Sequence, residues 1–129
     1  MKVRELLSEA ITQTTLDGIE QYADKLFANV GIDVEFTRHF LDRVNDERNK
    51  KEIHKNELRR LFKKTYAEYG PKIPTLGNKA QAVITDMKSD INMPFVLVWD
   101  RRSKEFDLVA KTIMRKKNFK TSNQKLIIK

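Results

Sequence analysis

At 129 residues the chain is long enough for one hydrophobic core and too short for two. Hydrophobic residues at 40% and charged residues at 34% describe a charge-rich globular domain, and no apolar run approaches the ~18–20 residues that span a bilayer, which excludes a transmembrane helix. The lack of cysteine excludes disulfide scaffolds, thiolate metal sites and thiol nucleophiles, while a net charge of +8 favours polyanionic partners.

Val3, Leu6, Leu7, Ala10 and Ile11 share one face of an N-terminal amphipathic segment, and Glu5 and Glu9 exclude a secretory signal. Residues 1–15 are expected to form this separate segment, and residues 16–129 a single domain. Leu16 to Val30 predicts a helix with Leu16, Ile19, Ala23, Leu26, Phe27 and Val30 as its apolar stripe, ended by Gly31. Val34-Glu35-Phe36 reads as a short extended piece. Thr37 suits an N-cap for a helix that buries Phe36, Phe40, Leu41 and Val44. A charged loop follows, from Asn45 to Glu52. The next helix runs from about Lys55 to Tyr69, with Leu58, Leu61, Phe62, Thr65, Tyr66 and Tyr69 inward and Arg59, Arg60, Lys63 and Lys64 outward. Gly70-Pro71 stops it.

The texture then becomes strand-like. Ala80 to Met87 is one candidate strand. Phe95 to Trp99 is a near-continuous apolar run, as expected of a central strand covered on both faces. Asp100 to Lys104 reads as a turn. Phe106 to Arg115 alternates with the period of a sheet, and Leu126-Ile127-Ile128 adds a short last strand. Helices first and an antiparallel sheet second make an α+β fold, N-terminal helices packed on a C-terminal sheet.

Charge is distributed unevenly. Residues 1–70 hold 13 basic and 13 acidic side chains, whereas residues 71–129 hold 13 basic and 5 acidic. From Lys111 onward come Lys111, Arg115, Lys116, Lys117, Lys120, Lys125 and Lys129, with no acid among them. Such a strip attracts nucleic acid, and a solubilising tail is the plainer alternative. Phe119, inside the strip, is the best-placed aromatic for stacking on a base. Arg59 and Arg60 extend the basic character onto the second long helix. Trp99 and Tyr66 read as core.

His39 and Arg43 stand four apart, so they project from one helical face. An imidazole can shuttle a proton at neutral pH, and a guanidinium can hold two phosphate oxygens. The alternative is a histidine on the core rim and an arginine paired with Asp42, Asp46 or Glu47. His54, three residues before Glu57, fits a capping box better than catalysis. No metal-ligand spacing, glycine-rich phosphate loop or serine elbow appears, so neither a metal site nor a cofactor is expected.

The run Val34-Glu35-Phe36-Thr37-Arg38-His39-Phe40-Leu41-Asp42-Arg43, followed by Glu57 to Lys64, resembles the middle of the RegB endoribonucleases of T-even phages, members of the RelE-like nucleases. About 35 residues carry the resemblance. It implies a RelE-like fold with a four-stranded antiparallel sheet and metal-independent mRNA cleavage by 2′-hydroxyl attack. It assigns His39 as acid or base and Arg43 and Lys63 as stabilisers of the phosphorane. Lys63 stands where the family has a second histidine after its Leu-Phe pair, here Leu61-Phe62. The family's helix glutamate has no secure counterpart, Glu20 and Asp24 being the candidates.

Leu7-Ser8-Glu9 before Ala10 resembles the cleavage site of capsid-targeting peptides in T-even phage internal head proteins, and the first turn of the domain is the alternative. The whole chain resembles small proteins of T-even-like phages. Two functions follow as expectations: an endoribonuclease in the host cytoplasm, or a non-catalytic nucleic-acid-binding protein packaged in the phage head. RNA is the first expected partner, DNA the second, and a membrane is not expected.

Overall fold

The first helix, α1 (Gln13–Phe27), starts where Thr12 turns extended and its hydroxyl accepts the Thr15 N–H at 3.1 Å. The structure is a computed structural model and describes residues 10–129. The segment Met1 to Glu9, with the expected cut after Glu9, lies outside the described residues. Thr12 to Thr15, within the segment expected to stand apart, are the cap and first turn of α1. Ile11 is already buried, its N–H and C=O both bonded to the Asn45 side chain at 3.1 and 2.7 Å.

Leu16, Ile19, Ala23 and Phe27 form the buried stripe of α1. A 3-10 turn (Ala28–Val30) follows, and Gly31 at φ +71° reverses the chain. Strand β1 (Ile32–Phe36) alternates, with Ile32 and Val34 buried. Helix α2 (Phe40–Val44) is a single turn and a half that buries Phe40 and Val44. A 3-10 turn (Glu47–Asn49) leads to α3 (Lys55–Tyr69), whose Leu58, Leu61, Phe62 and Thr65 face inward. Glu57 accepts the His54 N–H at 3.0 Å, as a capping box requires. An aromatic chain joins helices to sheet: Phe40 on Phe36 at 4.4 Å, Phe36 on Phe62 at 5.9 Å, and Tyr66 edge-on to Phe27 at 5.4 Å. Such pairs add about 0.5–1.5 kcal/mol each beyond area burial. Among the described residues no helix is long and apolar enough to cross a membrane.

The sheet corrects the expected fold. The remaining strands are β2 (Gln81–Asp86), β3 (Ile91–Asp100), β4 (Glu105–Ala110), β5 (Met114–Arg115) and β6 (Gln124–Ile128). Their order is β1-β4-β3-β2-β6, with β5 also paired to β3. β2, β3 and β4 form the antiparallel centre, but β1 runs parallel to β4 and β6 parallel to β2. The chain is α+β with a six-stranded mixed sheet, not the RelE-like four-stranded antiparallel one. The extended piece at Val34 is the reason. It lies among the helices in sequence, yet its Ile32/Val34 alternation suits an edge strand, and it docks beside Phe106 and Leu108.

Two strand expectations also change. The alternating run Phe106–Arg115 is split at Ala110. Lys111 N–H still bonds Pro94 C=O at 2.9 Å, so the missing N–H of Pro94 faces the same side and cannot hold the next residue pair. The far end of β3 is not covered on both faces: Val98 and Trp99 are each 41% exposed, with Trp99 edge-on to Phe106 at 4.9 Å.

Candidate nucleic-acid interface

After Ala110 the chain leaves the ladder and returns as β5. Asn92, fully buried, pins this return. Its Nδ2 donates to the carbonyls of Asp90 (3.1 Å) and Lys116 (2.9 Å), and its Oδ1 accepts from the Thr85 hydroxyl at 3.0 Å. Facing β5 is the segment Arg43 to Lys50. Asn49 ties the two: its Nδ2 donates to Arg43 C=O at 3.0 Å and its Oδ1 accepts from Arg115 N–H at 3.0 Å. Between them lies a cavity of about 550 Å³. Arg43, Arg48 and Lys50 line it from one segment and Arg115, Lys116 and Lys117 from the other, with Thr112, Ile113 and Met114 as less polar lining.

Asp46 is the one acidic residue lining this cavity among the described residues. The Arg48 side chain and N–H both bond its carboxylate, the closest side-chain approach being 2.9 Å, and hold its pKa at about 2. Arg43 sits 3.9 Å from the same carboxylate, so the plainer reading of Arg43, a pairing with Asp46, is realised. Five cations besides Arg115, facing one carboxylate, still leave the cavity strongly positive.

Arg115 is built in rather than offered. Its side chain is 10% exposed. Nε donates to Lys51 C=O (3.2 Å), one terminal nitrogen to Ser89 C=O (2.7 Å) and Glu57 (3.1 Å), and the other to Glu52 C=O (2.8 Å) and Glu57 (2.7 Å). Burial opposes the charge on Glu57, but the bonds from Arg115 and from His54 N–H outweigh it and keep the carboxyl below its usual range. On its other side Arg115 lines a second hollow of about 390 Å³, where Lys51, Arg60 and Lys88 stand with the acids Glu57 and Asp90 and with Ser89.

The structure thus brings together Arg43, Arg115, Lys116 and Lys117 of the residues expected from sequence. His39 and Lys63 line neither hollow. His39 precedes α2, is exposed, and accepts the Arg43 N–H on its carbonyl at 3.1 Å, so the one-turn spacing holds while the shared site does not. Lys63 is exposed on α3. Arg59 lies over the Tyr22 ring at 5.8 Å. Arg60 pairs with buried Asp86, and Lys111 reaches Gln81 at 3.2 Å. Phe119 is half-buried, its carbonyl taken by Lys125, and Lys120 is exposed. Sequence reading missed Arg48, Lys50, Lys51 and Lys88. The dense run Arg48 to Lys51 was the available signal, but it read as a solvated loop.

A second group of side chains was invisible to linear spacing. The parallel register sets Asp33 beside Asp107, and Glu35 joins them, with carboxylate oxygens within 4.8 Å of one another. From α1, Asp24 accepts Val34 N–H at 2.6 Å, and Glu20 stands near the Phe36 amide. Burial and the neighbouring Asp33 raise Asp24 to about 7. Burial and neighbouring acids also raise Glu20, Glu35 and Asp107.

Compared with models of known families, with curated proteins and with solved structures, the chain matches none. The resemblance to the RegB nucleases therefore rests on the residues quoted for it.

Proposed function

We propose that the protein binds RNA by its phosphodiester backbone in the cavity between Arg43–Lys50 and Thr112–Lys117. The observation that carries this reading is the lining: besides the internally bonded Arg115, five basic side chains face a single carboxylate that is itself tied to Arg48. Guanidinium and ammonium groups converging on a concave surface neutralise phosphates and release counterions. The walls are held by buried Asn49 and Asn92 rather than left to loop motion, so the charges are preorganised. Anisotropy of a labelled RNA tests it. Binding should weaken steeply with added salt, log affinity falling by about 0.7 per neutralised phosphate for each unit of log salt. Absence of binding at low salt would refute the reading.

A second reading, the metal-independent endoribonuclease, is favoured by one observation: exposed His39 sits one turn before Arg43, and Arg43 lines the cavity. In that reading His39 is the acid or base, Arg43 stabilises the phosphorane, and Lys63, on an exposed face of α3, has no geometric support. Removing a general acid or base costs on the order of 10²–10⁴ in rate. Wild-type protein should then cut RNA in the presence of EDTA, and His39→Ala should bind RNA but leave it nearly uncut. Intact RNA after incubation with wild-type protein, with or without EDTA, would sink this second reading alone.

A further inference from the structure

The two hollows share one wall, Arg115, whose five N–H donors are all used inside the protein. Arg115 is therefore a spine and not a phosphate ligand, and the ligand-facing cations lie on either side of it. The chain makes a costly turn to arrange this. Lys50 takes φ +62°, ψ −45°, and Lys51 N–H closes back on Asn49 C=O. This is a γ-turn with a positive central φ, rare and strained for a side-chain-bearing residue. Its effect is that two successive lysines part: Lys50 lines the larger hollow and Lys51 the smaller.

Resting on the RNA-binding reading above, we propose that the occupant is a single strand of nucleic acid crossing Arg115. Its backbone phosphates enter both hollows, and one unstacked base reaches the half-buried Met114 in the larger. A duplex has a convex surface of phosphates with its bases stacked inside. It meets the rim cations only, and it can offer no base to the apolar lining. A flexible strand can turn a phosphate into each hollow and an open base face toward Met114. The anion class alone, such as a polyphosphate, would use the cations and leave Met114 unmatched.

The test uses the full chain with three labelled probes: a single strand of about ten nucleotides, in RNA and DNA forms, a duplex of equal length, and a trinucleotide. The strand should bind at least roughly tenfold more tightly than the duplex at equal salt. Lys88→Glu, in the smaller hollow only, should weaken the long strand about tenfold and leave the trinucleotide unchanged, whereas Lys117→Glu should weaken both. Lys50→Gly relieves the positive φ, so it should raise the melting temperature while weakening the long strand. A merely structural turn would raise the melting temperature with binding intact. Equal binding of duplex and strand, or no effect of Lys88→Glu on the long strand, would overturn the single-strand proposal while RNA binding stood. Failure of every nucleic-acid probe at low salt would overturn the binding reading itself.

Discussion

The acidic edge at β1 and the basic cavity at β5 are built on the same side of the sheet and obey opposite rules. At the edge, Asp33, Glu35 and Asp107 are crowded by strand register, and burial with like charge makes ionisation of Glu35 and Asp107 costly. At the cavity, the carboxylates are few, and Asp46 and Glu57 are each held by an arginine that makes ionisation easy. β3 measures the gap. Val98 stands opposite Asp107 and Ile91 opposite Arg115, seven residues apart, or about 23 Å at ~3.3 Å per residue. That exceeds the ~8 Å Debye length at physiological salt, so each pole acts almost independently. The net +8 conceals a molecule with two ends, only one of which attracts a polyanion.

Arg115→Ala should break this division most severely. It leaves the partly buried Glu57 carboxylate and three backbone carbonyls without their guanidinium partner, and an unsatisfied polar group of this kind costs about 1–3 kcal/mol. Urea unfolding should show the shift in midpoint, and an unchanged midpoint would mean that Arg115 is not the spine of the site. Charge reversal at the cavity comes next. The double variant Lys116→Glu/Lys117→Glu should lower RNA affinity roughly 10–100-fold at low salt without changing the unfolding midpoint by more than about 0.5 kcal/mol.

The pH dependence of stability sharpens the contrast because the signs differ. Asp24 has a folded pKa of about 7, above its ordinary 3.8, so the folded state holds a proton there that the unfolded chain has lost. Its stabilising contribution is complete below the unfolded value and disappears as pH rises through about 7. Glu20, Glu35 and Asp107 act in the same direction. Glu57 acts in reverse: its contribution is present above the ordinary 4.5 and lost as acid protonates it. Asp33→Asn removes one charge from the edge, so its unfolding midpoint should exceed wild type above pH 7 and match it near pH 5. A gain equal at both pH values would show that like-charge crowding is not the cause. The smallest effect should come from Glu35→Gln, which should alter RNA affinity less than about twofold, since it lies beyond the screening distance from the cavity.

Local chemistry was legible in the sequence wherever one segment decided the outcome. Gly31, the stripe of α1, the inward face of α3 and the Asp100 turn all follow from side-chain spacing within a few residues. Pairings between distant segments were not legible. The position of β1 depends on whether Ile32 and Val34 find β4, more than 70 residues later, and a five-residue alternation does not show its partner. The site divides in the same way. Lys116 and Lys117 stood out as an acid-free basic run, but Lys50, Lys51 and Lys88 join them only through Arg115 and Asn49, which connect segments far apart in the chain. His39 and Arg43 show the limit of helical spacing as an argument. They are one turn apart, yet α2 begins after His39, and only Arg43 lines the cavity.

Asp24 has a consequence for self-association. A strand at the margin of a sheet offers free amides to any passing chain, and joining margins is how soluble domains start to grow into fibrils. Here the outward amide of Val34 is already taken by Asp24 from α1, and Asp33, Glu35 and Asp107 ring it with further negative charge, so another copy of the protein meets fewer open donors there and is repelled as it approaches. The acids that make this edge repel a polyanion also disfavour pairing of two copies through it.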